Sequence, residues 1–261
     1  MIRIRKLFFS LFASLAASFS FAASLQDCPQ HFNDGRPPEF INEKMAAGTR
    51  PLCFEGFALM HSGIARTSLW SAQHLTEQRI TEARKIKRRN TFHEEKKLPA
   101  ADRAELRDYS RSGFDRGHLS PSADMASTQS QYESFSLANI VPQDPHNNQN
   151  LWAAIEGITR GFTRSGGEAY VITGPMFEGA RLQRLKGRVL IPTHMFKAIY
   201  LPHRRQASAY VAPNVPGADY EILSIAELEQ RLGINLFPAM SQEIKQTRVN
   251  LPHPRVRKPK S

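Results

Sequence analysis

The run Asp115-Arg116-Gly117-His118 stands 30 residues ahead of Asn148, which heads an amphipathic stretch reaching Phe162. No other feature constrains the fold as much, since it asks for short strands and a helix brought together across a loop. Side chains alternate along a strand, so Arg116 and His118 project from one face. Gly117 between them has no Cβ and admits close approach by backbone or substrate. Leu119-Ser120-Pro121 ends that strand. Asn139-Ile140-Val141-Pro142 reads as a second extended piece, leading into the polar loop QDPHNNQN.

These residue types carry a definite chemistry. His118 takes up a proton near neutral pH, Asn148 offers a neutral oxygen to a hard cation, and Arg116 presents a fork of donors to a phosphate. With about 100° per helical residue, Asn148, Trp152, Glu156 and Arg160 span one face, while Leu151, Ala154, Ile155 and Ile158 form the opposite, core-facing stripe. In isolation Asn148 would be a helix cap, Glu156 and Arg160 an ordinary i,i+4 surface pair, and His118 a structural histidine. Standing together at this spacing, they read as a site.

The segments FDRGHLSPSADM (Phe114 to Met125) and ANIVPQDPHNNQNLW (Ala138 to Trp152), with Glu156 and Arg160 behind them, resemble the DNA/RNA non-specific endonuclease family. These are the Serratia-type nucleases with a ββα-metal active site, and the resemblance is to their exported bacterial branch. More loosely, YVITGPMF and IPTHMFKAIY match too, and roughly residues 50 to 240 are covered. The resemblance implies an α+β fold: a central, antiparallel-rich sheet flanked by helices and carrying a ββα-metal motif. It implies hydrolysis of DNA and RNA, with His118 as general base and Asn148 as ligand to one Mg2+, Mn2+ being able to substitute. Glu156 would hold a metal-bound water, Arg116 and Arg160 would stabilise phosphate charge, and the products would carry 5′-phosphates. Asp115 is assigned to bracing the strand, and Asn139 to orienting the site.

Residues 1–22 have the form of an export signal: the basic start MIRIRK, an apolar run, then small residues at Ser20 and Ala22. The apolar run falls short of the ~20 residues that span a bilayer, so no stable membrane association is expected, and the chain is placed in the periplasm or outside the cell. There Cys28 and Cys53 meet an oxidising environment and are expected to pair. That link, worth roughly 3 kcal/mol by loop closure, would staple an arm of residues 23–49 to a nuclease domain of residues 50–240. Residues 241–261 read as a basic, flexible tail.

Removing Arg3, Arg5 and Lys6 from 35 basic residues set against 24 acidic ones leaves a net charge of +8. This favours a polyanionic partner without proving one. The charged stretch Thr76 to Lys97 reads as a solvated helix followed by a loop, with Arg88 and Arg89 available at the rim of a nucleic-acid site. No serine-hydrolase elbow, phosphate-binding Walker loop or zinc-protease helix motif occurs in the sequence. The competing reading is an exported nucleic-acid-binding protein without catalysis, serving uptake or matrix adhesion. The sequence allows a homodimer.

Overall fold

Val171 and Ile172 are neighbours in sequence yet lie in separate hydrophobic cores, as do Met195 and Phe196, and Ala198 and Ile199. The reason is the two-residue period of a strand, which sends successive side chains to opposite faces. A computed structural model describes residues 24–256. The expected export signal lies outside the described residues. Seven strands form the main sheet: β1 (Thr49–Cys53), β2 (Ala58–Ser62), β3 (Thr67–Thr76), β6 (Glu168–Met176), β7 (His194–Leu201), β8 (Gln206–Pro213) and β9 (Glu221–Leu223). Apart from two pairs of two-residue strands, Glu39–Phe40 with Ile234–Asn235 and Arg184–Leu185 with Val189–Leu190, the strands β4 (Asp115–His118) and β5 (Ile140–Gln143) stand outside that sheet and pair with each other. The large sheet runs β9-β8-β7-β6-β3-β2-β1, and every pairing in it is antiparallel.

Helices α1 (Glu77–Ala83), α2 (Leu106–Tyr109) and α3 (Thr128–Ser134) lie between β3 and β5 in the chain, and later helices cover both faces of the sheet, which gives the expected α+β architecture. On one face α5 (Ile225–Leu232) and α6 (Gln242–Gln246) pack with Trp70, Ile172 and Phe196. Ser224 caps α5 through a reciprocal box with Glu227, and Gly233 ends it at φ 67°. On the other face α4 (Ala153–Gly161) lays Ile155, with Leu151 and Trp152 just ahead of it, against Val171, Met195 and Ile199. The β4-β5 pair joins this second layer through Leu119 and Val141, so the sheet is the platform on which the site is built.

Three expectations are altered. The helix predicted from Asn148 begins as a π-helical segment, Asn147–Trp152, and becomes regular only at Ala153. Wider turns change the angular register, and Trp152 is in the core rather than on the functional face. The segment beyond 240 is no tail at its start: Lys245 is buried against Glu229 at 2.9 Å, and Leu251 sits in the second core. The arm is part of the body as well, since Leu25, Cys28 and Phe32 lie in the first core. The disulfide Cys28–Cys53 links it to β1.

Candidate active site

β4 and β5 hold Arg116 opposite Pro142 and His118 opposite Ile140. Asn139 locks the exit from β4: its Oδ1 accepts from the Ser120 N–H at 3.0 Å, and its Nδ2 donates to the carbonyls of Ser120 and Ser134. Both N–H groups and the oxygen of that amide are bonded within the fold and the residue is wholly buried, so its place is structural. Gly117 is explained by a close approach, because a Cβ there would fall 2.1 Å from Gln143 Oε1. Gln143, fully buried, donates in turn to Asn147 Oδ1 at 2.9 Å and so fixes the turn that presents Asn148.

Asp115 does more than brace its strand. Its Oδ2 accepts from both Asn148 Nδ2 and Gln149 Nε2 at 2.9 Å. Because an ionised carboxylate can only accept, the amide nitrogen of Asn148 is fixed toward Asp115, and its Oδ1 makes no hydrogen bond to the described residues.

Arg116 and His118 share an aromatic wall. The Arg116 guanidinium lies 4.1 Å over the Phe92 ring, and the His118 ring sits 5.5 Å from Phe92 and 4.9 Å from Phe135. His118 Nε2 is buried without a partner. Burial pushes this imidazole down to about 3, and the positive charges of Arg88 and Arg116 push the same way. Arg88 donates to Ser122 Oγ at 3.0 Å and lies over Phe135. A hollow of about 600 Å³ opens between Arg88, Phe92, Arg116 and Asn148.

Glu156 and Arg160 follow on α4. Arg160 donates to the buried Asp124 at 2.9 Å and stands 4.0 Å from Glu156. Asp124 is held from its other side by Gln73 Nε2 at 2.9 Å. Beneath them Lys197, wholly buried, donates to Thr173 Oγ1 at 2.6 Å and lies 5.5 Å from the Trp152 ring. Burial pushes the Glu156 carboxyl up to about 7, against the pull of Lys197, Arg160 and Arg88. Burial likewise pushes the Lys197 ammonium down, while Glu156 and Asp124 oppose the shift.

The donor set fits one hard divalent cation that keeps most of its water: a free amide oxygen on Asn148 and a carboxylate on Glu156 two turns along the helix. Among the described residues no group of three or more His, Cys, Asp or Glu is arranged to hold a metal, whereas a zinc site draws on three or four such ligands. Phe92 and Lys197 have no motif to announce them, and Asp124, although inside FDRGHLSPSADM, carries no role that the sequence alone assigns. Arg88, expected at the rim, lines the hollow itself and adds its charge at His118.

An antiparallel β pair that carries a histidine, an amide and arginines lining one hollow, and a following helix whose Arg160 lines the adjoining one, make the arrangement of a nuclease-class hydrolase. Residues 36–243 match the profile of the DNA/RNA non-specific endonuclease family, and the chain belongs to that family. It is an endonuclease, a phosphodiester hydrolase. The chain is 29% identical to Nuclease C1 of Cunninghamella echinulata over 70% of its own length and 81% of the relative's. It is 30% identical to bovine mitochondrial Endonuclease G over 83% of the chain and 79% of that protein. A chain from a solved EndoG/EndoGI complex superposes with a TM-score of 0.66 at 23% identity, covering 74% of this chain and 88% of that one, which shows a shared fold.

Proposed function

We propose that the chain is an exported nuclease that uses Mg2+ to hydrolyse DNA and RNA without sequence preference, His118 acting as general base. The observation that carries this reading is the Asp115–Asn148 hydrogen bond, which turns a free amide oxygen toward the hollow beside Arg116. Asn148 and, through water, Glu156 would hold the ion, which when bound supplies positive charge at the scissile phosphate.

Burial does most to hold His118 down, and a phosphodiester anion placed against Arg88 and Arg116 offsets the two charges that add to it, so substrate binding makes the imidazole a better base than it is in the free protein. The His118 imidazole, whose Nε2 is buried, then takes a proton at Nδ1 from the attacking water as its oxygen bonds to phosphorus. The P–O3′ bond breaks, and the 3′ oxygen leaves as a hydroxyl with a proton from solvent. A 5′-phosphate remains. Arg160, anchored by Asp124, keeps guanidinium donors for the charge that develops on the phosphate. The positive charges of Lys197 and Arg160 favour the ionised form of Glu156. Nothing in this set touches a base edge, and contacts to phosphate carry no sequence information.

Export is supported by the Cys28–Cys53 disulfide, a bond that persists in oxidising compartments, together with the form of residues 1–22. The test is plasmid and ribosomal RNA digestion with Mg2+, with EDTA and with Mn2+, followed by end analysis. Retardation of the plasmid without nicking, or cleavage undiminished by EDTA, would overturn the reading. Fractionation of producing cells tests the location.

A further inference from the structure

Gly157 and Gly161 lie on the outer face of α4, and a Cβ on either would meet no atom within 4 Å. Neither has a positive φ. Glycine inside a helix is about 1 kcal/mol less favourable than alanine, so nothing internal to the chain accounts for the pair. What they create is a floor. Two adjoining hollows, of about 450 and 800 Å³, meet over these glycines and over Arg164.

The walls of this floor are arginines. Arg160 and Arg164 border the first hollow, and Arg164, Arg204 and Arg255 the second, with no carboxylate on either wall. Among the described residues, Arg164, Arg204 and Arg255 have no acidic partner within 4.0 Å. Glu168, which shares a further hollow with Arg164 and Arg204, is bonded to His74 and His203. The arginines are held in place rather than trailing. Glu77 accepts from the N–H groups of Ser165 and Gly166, pinning the turn after Arg164. Arg255 rides on a strap fixed by buried Leu251 and by Tyr210, whose hydroxyl donates to the Pro252 carbonyl at 2.6 Å.

We propose that this arginine-walled, glycine-floored groove is an extended polynucleotide track, running from the active site along α4 to the C-terminal strap and binding the sugar-phosphate backbone beyond the scissile bond. It rests on the nuclease reading. A helix advances about 1.5 Å per residue, so α4 carries the track roughly 7.5 Å beyond Glu156 to Gly161, and Arg164 stands in the turn that follows. The next phosphates of a helical strand follow at ~3.4 Å each along its axis. The glycines let the backbone settle close to the helix, and the unpaired guanidiniums take its phosphates in place of displaced counterions.

Two independent variants test it, one removing charge and one filling the floor: R164A/R204A and G161L. Cleavage of a trinucleotide and of a 20-nucleotide strand is compared, and binding of the longer strand is titrated against salt in an H118A background. The control R36A/K44A removes equal charge beside the layer on the opposite face of the sheet. For R164A/R204A we expect kcat/KM on the long strand to fall at least tenfold more than on the short one. The salt slope of binding should drop by about 1.4, two contacts at roughly 0.7 each. G161L should weaken long-strand binding while its Tm is unchanged or higher, and the control should leave binding as it was. Equal losses on both lengths, an unchanged salt slope, or the same effect from the control would overturn the track. Failure of the unaltered protein to cut either strand would overturn the nuclease reading and the track with it.

Discussion

Asp115 holds Asn148 by its nitrogen: the carboxylate accepts from Nδ2 at 2.9 Å, which leaves the amide oxygen as the only face Asn148 can show the hollow. A ligand that is itself held in orientation loses affinity when its holder changes, typically 10 to 100-fold. We therefore expect D115N to raise the Mg2+ concentration for half-maximal cleavage by about that factor, because a neutral amide lets Asn148 rotate. N148A should do worse in the same titration. An unchanged metal dependence in both variants would move the ligand elsewhere on the helix.

His118 is predicted to be separable from binding. H118A removes a proton acceptor and none of the arginines, so cleavage should fall by ~10² to 10⁴ while retention of labelled DNA is nearly intact. The measurement is single-turnover cleavage beside gel retardation in EDTA. More than half the original rate would remove His118 from its role.

Much of this site was readable in the sequence because its parts are covalently close. His118 and Arg116 are two residues apart on one strand, and Asn148, Glu156 and Arg160 fall at near-helical intervals, so local geometry nearly suffices. What escaped came from distance or from an irregular backbone. Phe92 reaches His118 from a coil segment 26 positions earlier, and Lys197 reaches Glu156 from a strand in the middle of the sheet. Neither spacing leaves a pattern. Trp152 was misplaced because 100° per residue does not hold in the π-helical turns before Ala153. The packed segment after 240 was missed because its buried positions, Ile244, Lys245 and Leu251, are too few and too polar for a periodic signal.

Lys197 gives a third prediction. It is buried beneath Glu156 and Asp124 and bonded to Thr173 Oγ1. Removing one partner of a buried charge set costs about 3–5 kcal/mol when the others stay uncompensated. K197A should lower the free energy of unfolding by that order through both charge and cavity. K197M keeps most of the volume, so it should be the milder of the two in stability and yet still lose activity, since Glu156 loses the cation below it. The check is kcat/KM against the denaturation midpoint for the pair. Full activity in K197M would show that Lys197 serves packing alone.

The last prediction concerns acid. Burial lowers His31 to about 4 and His118 to about 3, and lowers His61 as well, each from an ordinary value near 6.5. In the unfolded chain these groups take up protons as pH falls through about 6.5, whereas in the folded protein they stay neutral until far lower. The unfolded state therefore binds more protons across the window from about 6.5 down to about 4, and stability must fall with pH there, by about 1.4 kcal/mol per pH unit for each such histidine. His31 makes the cleanest test, since it lies in the N-terminal segment away from the catalytic groups and contacts the Phe54 carbonyl at 3.0 Å. H31Q keeps a hydrogen-bonding group and cannot take up a proton, so its Tm should decline less steeply between pH 6.5 and 4 than that of the unaltered protein. Parallel Tm–pH curves for the two would show that His31 is protonated in the fold as readily as outside it.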